Sequence, residues 1–202
     1  FISLRQEPLE DPFNRMLKRT VDPAVAIPVI IFVLPATTAL VWILQRMQSP
    51  GPIFHKQPRA GLGNTPFEIY KYRTMRVHNS DQSVQAKEGD SRIYPMGHWF
   101  RKLSIDELPQ FWNVLRGEMS VVGPRPHLLE HNEQFSRALH NYHVRAHVKP
   151  GITGLAQVKG FRGETKTQQD VIKRVKADIY YLENWSLSLD FWIIVQTYGQ
   201  IF

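Results

Sequence analysis

Two adjacent carboxylates, Asp106 and Glu107, stand in the stretch Leu103-Ser104-Ile105-Asp106-Glu107-Leu108-Pro109-Gln110 at the expected start of a helix. Leu108, Phe111, Trp112 and Leu115 recur at i, i+3, i+4 and i+7, which predicts one apolar helix face. Pro109 then belongs in the first turn, where its missing N–H costs nothing. Two registers compete: Asp106 at or near the N-cap, or a capping box from Ser104 to Glu107 that pushes Pro109 deeper. In either, the positive end of the helix dipole lowers the pKa of a carboxylate and keeps it anionic at neutral pH. Neighbouring N–H groups favour a phosphate at the same place. Ordinary helix-start acids would read alike, so the rest of the chain decides.

Val122-Gly123-Pro124-Arg125-Pro126 holds an arginine between two prolines, which restrict the backbone and present the guanidinium with little entropy left to lose. Its planar fork suits bidentate phosphate binding, and a rigid turn with an incidental arginine is the plain alternative. Lys149-Pro150-Gly151-Ile152-Thr153-Gly154 and Gly160-Phe161-Arg162-Gly163 are glycine turns with bases beside them, able to cradle a diphosphate through N–H groups. No Walker or dinucleotide fingerprint accompanies them. A helix from about Thr167 to Asn184 buries Val171, Val175 and Leu182, and Asp178 falls on that face. A core-facing carboxylate must pair with a base or face a reaction centre. His127, His131, His140, His143 and His147 cluster without zinc spacing and read as surface histidines.

The elements that position these residues divide 202 residues into a tether, an apolar stretch and a basic domain. There is no cysteine, hence no disulfide and no thiolate metal site. A formal charge of +7 points to an anionic partner, yet no nucleic-acid motif appears. Residues 1–14 read as a Pro-containing linker, and with Phe1 in place of Met the chain reads as a portion of something longer. Residues 15–48 open with bases and run into a charge-free stretch from Pro23 to Leu44, long enough for the ~20 residues that cross a bilayer. Two features favour a re-entrant helix over a crossing. Pro28 and Pro35 interrupt the stretch, and bases flank both ends: Arg15, Lys18 and Arg19 before, Arg46, Lys56 and Arg59 after. A helix hairpin bending near Pro35 keeps both clusters cytoplasmic, with Thr37 and Thr38 bonding backbone groups freed at the bend.

Residues 49–202 read as one domain. Residues 49–63 read as an ordered loop at the membrane surface. Phe67 to Thr74 alternates like a strand, with Phe67, Ile69, Lys71 and Arg73 on one side. Residues 76–95 read as an exposed loop or a lid. His127 to His143 reads as an amphipathic helix. Leu187 to Phe202 is apolar nearly all round, and suits a core or a membrane interface.

Several blocks together resemble the bacterial sugar transferase family of monotopic phosphoglycosyltransferases. They are Ser-Pro-Gly-Pro-Ile-Phe, Tyr-Lys-Tyr-Arg-Thr-Met, Arg-Lys-Leu-Ser-Ile-Asp-Glu-Leu-Pro-Gln, Gly-Pro-Arg-Pro, Lys-Pro-Gly-Ile-Thr-Gly-Leu-Ala-Gln-Val and Asp-Ile-Tyr-Tyr-Leu. The resemblance implies the catalytic domain of a long member, with 49–202 an α/β catalytic domain of a small sheet and several amphipathic helices. Arg-Gly-Glu-Thr at 162–165 and His-Asn-Glu at 131–133 resemble members that use UDP-glucose or UDP-galactose with undecaprenyl phosphate. It further implies Asp106 as covalent nucleophile, Glu107 as its helper, and Mg²⁺ held at that pair. Arg101, Arg125 and Arg162, then Lys71, Arg73 and Lys149, are the implied phosphate clamps, and Asp178 matches the family's late acidic position. Leu34 stands where many members have serine before the bend proline, and Pro28 is additional. The implied setting is the cytoplasmic face of the bacterial inner membrane; self-association into a homo-oligomer is left open. A non-catalytic membrane scaffold is the alternative, and the intact carboxylate pair counts against it.

Overall fold

The computed structural model describes residues 7–77, 89–127, 142–161 and 167–201. The expected helix from His127 to His143 and the motifs at 131–133 and 162–165 lie almost wholly outside them.

The chain turns helical before the expected start at Arg15. Leu9, in a 3₁₀ turn at Pro8–Glu10, is buried in the core, so the end of the expected linker is packed. Asp11 then caps α1 (Pro12–Pro28) by accepting from the Phe13 N–H at 2.9 Å, and Pro12 takes the first helical position. The helix does not break at its prolines. Between Pro28 and Pro35 it widens into a π turn at Val29–Val33, in which the Leu34 N–H reaches back to the Val29 carbonyl. A wider turn relieves the clash of the Pro35 ring with the preceding turn. It continues as α2 (Leu34–Gln48), where the Thr37 hydroxyl donates to the Val33 carbonyl at 2.9 Å and Thr38 to the Leu34 carbonyl at 2.6 Å. Pro12–Gln48 is the one helix among the described residues long and apolar enough to cross a membrane.

Both halves of this helix dock on the domain. From α1, Lys18 meets Asp190 at 2.6 Å, and Arg19 donates to the Val114 and Leu115 carbonyls at 2.8 and 3.0 Å. Asp22 accepts from the Ser120 hydroxyl and the Val121 N–H. From α2, the Thr38 hydroxyl lies 2.6 Å from Tyr72 Oη, and Gln45 donates to the Arg73 carbonyl at 2.7 Å.

The fold is mixed, but the small sheet is two separate two-stranded pieces among the described residues. β1 (Phe54–Ala60) pairs antiparallel with β2 (Pro66–Tyr72), so much of the expected 49–63 loop is a strand. Pro58 hides it in the sequence, and an edge strand tolerates proline because its N–H has no ladder partner to lose. Then follow α3 (Pro95–Lys102), α4 (Gln110–Arg116) and β3 (Ser120–Val122). β4 (Gly151–Thr153) pairs in parallel with β3 and is followed by α5 (Leu155–Val158). Finally come α6 (Gln168–Glu183) and α7 (Leu187–Ile201). Thr167 caps α6 in a reciprocal box with Asp170, close to the expected start. The main core gathers Val114, Met119, Val122, Leu155, Leu182 and Ile193.

The glycine turn at 149–154 serves packing, whereas the one expected at 160–163 lies partly outside the described residues. The Gly123 N–H donates to the Thr153 carbonyl and the Gly151 N–H to the Pro124 carbonyl, so neither is open to a ligand. A Cβ on Gly151 would sit 2.1 Å from the Gly123 nitrogen. Gly151→Ala is therefore expected to prevent β3–β4 pairing and abolish cooperative thermal unfolding, whereas Gly160→Ala, which meets nothing within 4 Å but must hold φ 84°, should keep a cooperative transition at a lowered midpoint.

Candidate active site

Asp106 and Glu107 sit in a single 3₁₀ turn, Ile105–Glu107, that follows Ser104 in the left-handed region at φ 58°. Neither expected register holds. Pro109 immediately precedes α4, no side chain caps the 3₁₀ turn, and the Glu107 carboxylate points to cations instead of back to Ser104. The expected apolar face is rotated too. Trp112 is 42% exposed, while Gln110, Asn113 and Val114 are fully covered. Asn113 explains the rotation: its side chain accepts from the Tyr70 N–H at 3.1 Å and donates to the Glu68 carbonyl at 2.7 Å, completing the free edge of β2.

Glu107 is gripped by two bases. Lys71 Nζ from β2 lies 3.0 Å from Oε1, and the Arg125 fork places Nη2 2.6 Å from Oε1 and Nη1 3.3 Å from Oε2. The opposing pull of desolvation brings the Lys71 ammonium below the usual lysine value. Arg125, between its two prolines, is held above the usual arginine value by Glu107.

Asp106 is as buried as its neighbour but has no hydrogen-bond or ion-pair partner among the described residues. Its carboxyl is pushed up to about 6, by burial first and the Glu107 charge second, against the pull of Lys71, Arg101 and Arg125. The helix-start argument predicts the opposite direction. A one-turn 3₁₀ helix carries little dipole, and burial beside a second carboxylate outweighs it. Neutral pH lies above this raised value, so the group is still mostly ionised there.

The other expected site residues divide by position. Arg101 is exposed at the end of α3, its charge acts on Asp106, and it reaches the Thr74 hydroxyl at 3.5 Å. Arg162 lies outside the described residues. Arg73, expected among the clamps, gives its guanidinium to the Pro52, Ser49 and Met75 carbonyls and the Ser49 hydroxyl at 2.6 to 2.9 Å. It folds the 49–52 turn. Lys149 lies instead beside Arg19 and Asp22, whose charges act on it. Asp178 is 2% exposed and sits 2.7 Å from Arg145, so the buried-pair reading fits it and a substrate-facing one does not.

Sequence reasoning missed the network that this pair anchors. Arg145 Nη2 donates to the Arg125 carbonyl at 2.9 Å, and Nη1 lies 3.0 Å from both Tyr142 Oη and His127 Nδ1. Asp178 therefore holds the arginine that holds the turn presenting Arg125. His127, read as a surface histidine, is buried and driven well below its usual pKa by burial and the surrounding arginines. His143 and His147 are exposed as expected. A cavity of about 310 Å³ opens beside this network, lined by Gly61, Arg125, His127, Tyr142 and Arg145 among others. No periodic signal marks Arg145, because its 3₁₀ segment, Tyr142–His147, is too short to have a face.

A metal-binding cage of three or more His, Cys, Asp or Glu is absent among the described residues. Asp106 alone of the pair offers carboxylate oxygens not already engaged, since Lys71 and Arg125 hold those of Glu107. That suits an ion shared with substrate phosphates, the usual habit of Mg²⁺, better than one held by protein alone.

The domain thus gathers a buried carboxylate pair among arginine and lysine side chains, and one long apolar helix docks on it. The chain belongs to the bacterial sugar transferase family, whose model matches residues 13–202. It is 42% identical over 185 residues to the UDP-glucose:undecaprenyl-phosphate glucose-1-phosphate transferase of Escherichia coli K12, covering 91% of this chain and 40% of that protein. The Xanthomonas campestris protein of the same name is 43% identical over 199 residues, 97% of this chain and 41% of the relative. An Aeromonas hydrophila relative, named for transfer of N-acetylgalactosamine phosphate to undecaprenyl phosphate, is 40% identical over 193 residues, 94% of this chain and 44% of the relative. The chain thus spans about two fifths of the length of these relatives.

Removing one partner of a buried ion pair leaves an uncompensated charge. Asp178→Asn is expected to lower unfolding free energy by about 3 kcal/mol in denaturant titration. Asp178→Asn together with Arg145→Met should recover some of that loss.

Proposed function

We propose that the chain is the catalytic domain of a phosphoglycosyltransferase that moves a hexose-1-phosphate from a UDP-sugar to undecaprenyl phosphate, releasing UMP. The observation that carries this is Asp106: buried, mostly ionised, and unpartnered among the described residues, beside a Glu107 locked by Lys71 and Arg125. A carboxylate kept anionic but given no protein hydrogen bond retains its oxygen lone pairs for an incoming electrophile. The relatives' names favour glucose as the sugar; none of the relatives cited above is named for galactose.

The reaction runs in two displacements. An Asp106 oxygen attacks the β-phosphorus of the UDP-sugar, a P–O bond forms, and the bond to the UMP oxygen breaks with UMP leaving. An oxygen of the lipid phosphate then attacks the same phosphorus, the acyl–phosphate bond breaks, and Asp106 regains its carboxylate. Each step brings an anion to an anion, worth about 4 kcal/mol of repulsion at 4 Å and an effective dielectric near 20. Arg125, Lys71 and Arg101 supply fixed positive charge against it. Lys71 and Arg125 also hold Glu107 in place, so the positive field around Asp106 needs no rearrangement as charge develops. Mg²⁺, held by Asp106 and the substrate phosphates, would add further charge neutralisation at the phosphorus.

The apolar helix supports a site at a membrane surface. Residues in both halves of the long helix bond to one domain, Lys18, Arg19 and Asp22 in α1 and Thr38 and Gln45 in α2. A re-entrant helix keeps both ends on one side; a crossing would have to pull one of those ends away from the domain. Phe32 (74% exposed) near the π turn and Phe191 (69%) on α7 supply apolar surface for the lipid.

With labelled UDP-glucose and Mg²⁺ but no lipid acceptor, the protein should gain the mass of one sugar phosphate, removable by hydroxylamine. Asp106→Asn should abolish both the adduct and UMP release. Because the folded Asp106 pKa is raised to about 6 and the ionised form reacts, the rate of adduct formation should be near its plateau at pH 7 and above. Below pH 6 it should fall about tenfold per pH unit. An adduct on the Asp106→Asn protein, or UMP release that requires lipid, would show direct attack by the lipid phosphate instead.

These 202 residues contain no cysteine, so single cysteines introduced into them in a chain otherwise free of cysteine report topology cleanly. Cysteines introduced at Glu10 and Lys56 should both escape an impermeant thiol reagent applied outside intact cells and react after lysis. Labelling of one alone in intact cells would establish a crossing.

A further inference from the structure

Arg59, near the end of β1, has no carboxylate at ion-pair distance among the described residues. Its one hydrogen bond among the described residues runs from Nη2 to the neutral Gln57 side chain at 2.7 Å. Its Nε is buried and has no partner among them. The Glu107 carboxylate is shared with two other bases, Lys71 and the Arg125 fork, which it holds at hydrogen-bond distance. The fold nevertheless brings Arg59 to the site. The Ala60 N–H donates to the His127 carbonyl at 3.2 Å, joining the end of β1 to the segment that follows Arg125 and Pro126. The charges of both Arg125 and Glu107 act on Arg59. Ala60 and Gly61, the next residues along, line the same cavity as Arg125.

A buried guanidinium donor without an acceptor is costly, and a second guanidinium at its side adds repulsion. Burial and Arg125 together bring Arg59 down to about 10, so it remains charged at neutral pH. Two carboxylates, Asp106 and Glu107, face four bases, Lys71, Arg59, Arg101 and Arg125, which leaves room for an anion. Arginine's fork and the orphaned Nε together match a phosphoryl group, which accepts two parallel N–H bonds.

We propose that Arg59 is a substrate-binding residue whose Nε and guanidinium fork take a phosphoryl oxygen of the phosphorylated substrate. Without substrate the group is held in waiting by Gln57. The assignment rests on the phosphoglycosyltransferase reading above, and it adds a base that the family blocks quoted from the sequence leave out.

The test uses the full chain in detergent, with Arg59→Gln and Arg59→Lys. Losing hydrogen bonds from a charged donor should raise KM by about 10- to 100-fold, with a smaller fall in kcat. Arg59→Lys should recover only some of this, since charge returns without the fork. A rise confined to the UDP-sugar places Arg59 on the nucleotide diphosphate; one confined to undecaprenyl phosphate places it on the lipid phosphate. Unchanged KM for both substrates in Arg59→Gln overturns the inference. A folding defect is separated by thermal shift with inorganic pyrophosphate as the probe. The wild-type midpoint should rise with pyrophosphate, and the rise should be lost in Arg59→Gln and partly kept in Arg59→Lys. If the wild type releases no UMP from any UDP-sugar, the proposed function fails. The pyrophosphate shift then still decides on Arg59, and a shift of equal size in Arg59→Gln overturns its role.

Discussion

Two neighbouring carboxylates cannot be buried side by side unless cations neutralise some of their charge, and the domain is arranged around meeting that condition. Lys71 comes from β2 and Arg125 from the turn after β3, so the Glu107 carboxylate ties two sheets to the 3₁₀ turn between α3 and α4. The turn after β3 is fixed by Arg145, and Arg145 by Asp178 on α6. β2 is fixed on its free edge by Asn113 of α4. Each support is itself buried and charged or amide-bearing, so the site stands inside a polar skeleton.

The pairing is unequal. Glu107 takes the strong bonds, and Asp106 is left with field but no hydrogen bond among the described residues, which makes one carboxylate a fixed counter-charge and the other available for reaction. Such a division follows from the chain's direction: a single 3₁₀ turn sends successive side chains about 120° apart, so adjacent acids meet different surroundings.

The long apolar helix is bound into the same framework. Tyr72, adjacent to Lys71 on β2, has its hydroxyl 2.6 Å from Thr38, just past Pro35. Lys18 meets Asp190, which also accepts from Tyr181 at 2.7 Å and Trp185 at 3.1 Å, fastening α1 to α6 and α7. Because Lys71 and Tyr72 point to opposite faces of one strand, the seat of the helix and the grip on Glu107 are successive residues of the same β2. The position of the helix and the alignment of the site are therefore set together.

The sequence by itself pointed to the carboxylate pair and to the elements with a strong period. Asp106-Glu107, Arg125 between its prolines, the helix from about Thr167 to Asn184, and the apolar stretch all read directly, because periodicity and proline act locally. Strand β1 did not, since Pro58 and its charges mask an edge strand whose partner is what stabilises it. The face of α4 was misjudged because Asn113, polar in sequence, is buried by bonds to a strand some 45 residues earlier. Tertiary structure alone decided that Arg73 folds a turn, that Asp178 and Arg145 pair in the interior, and that His127 is covered. It also reversed the sign of the Asp106 shift. Burial and long-range charge are sums over the whole fold, and no window of sequence contains them.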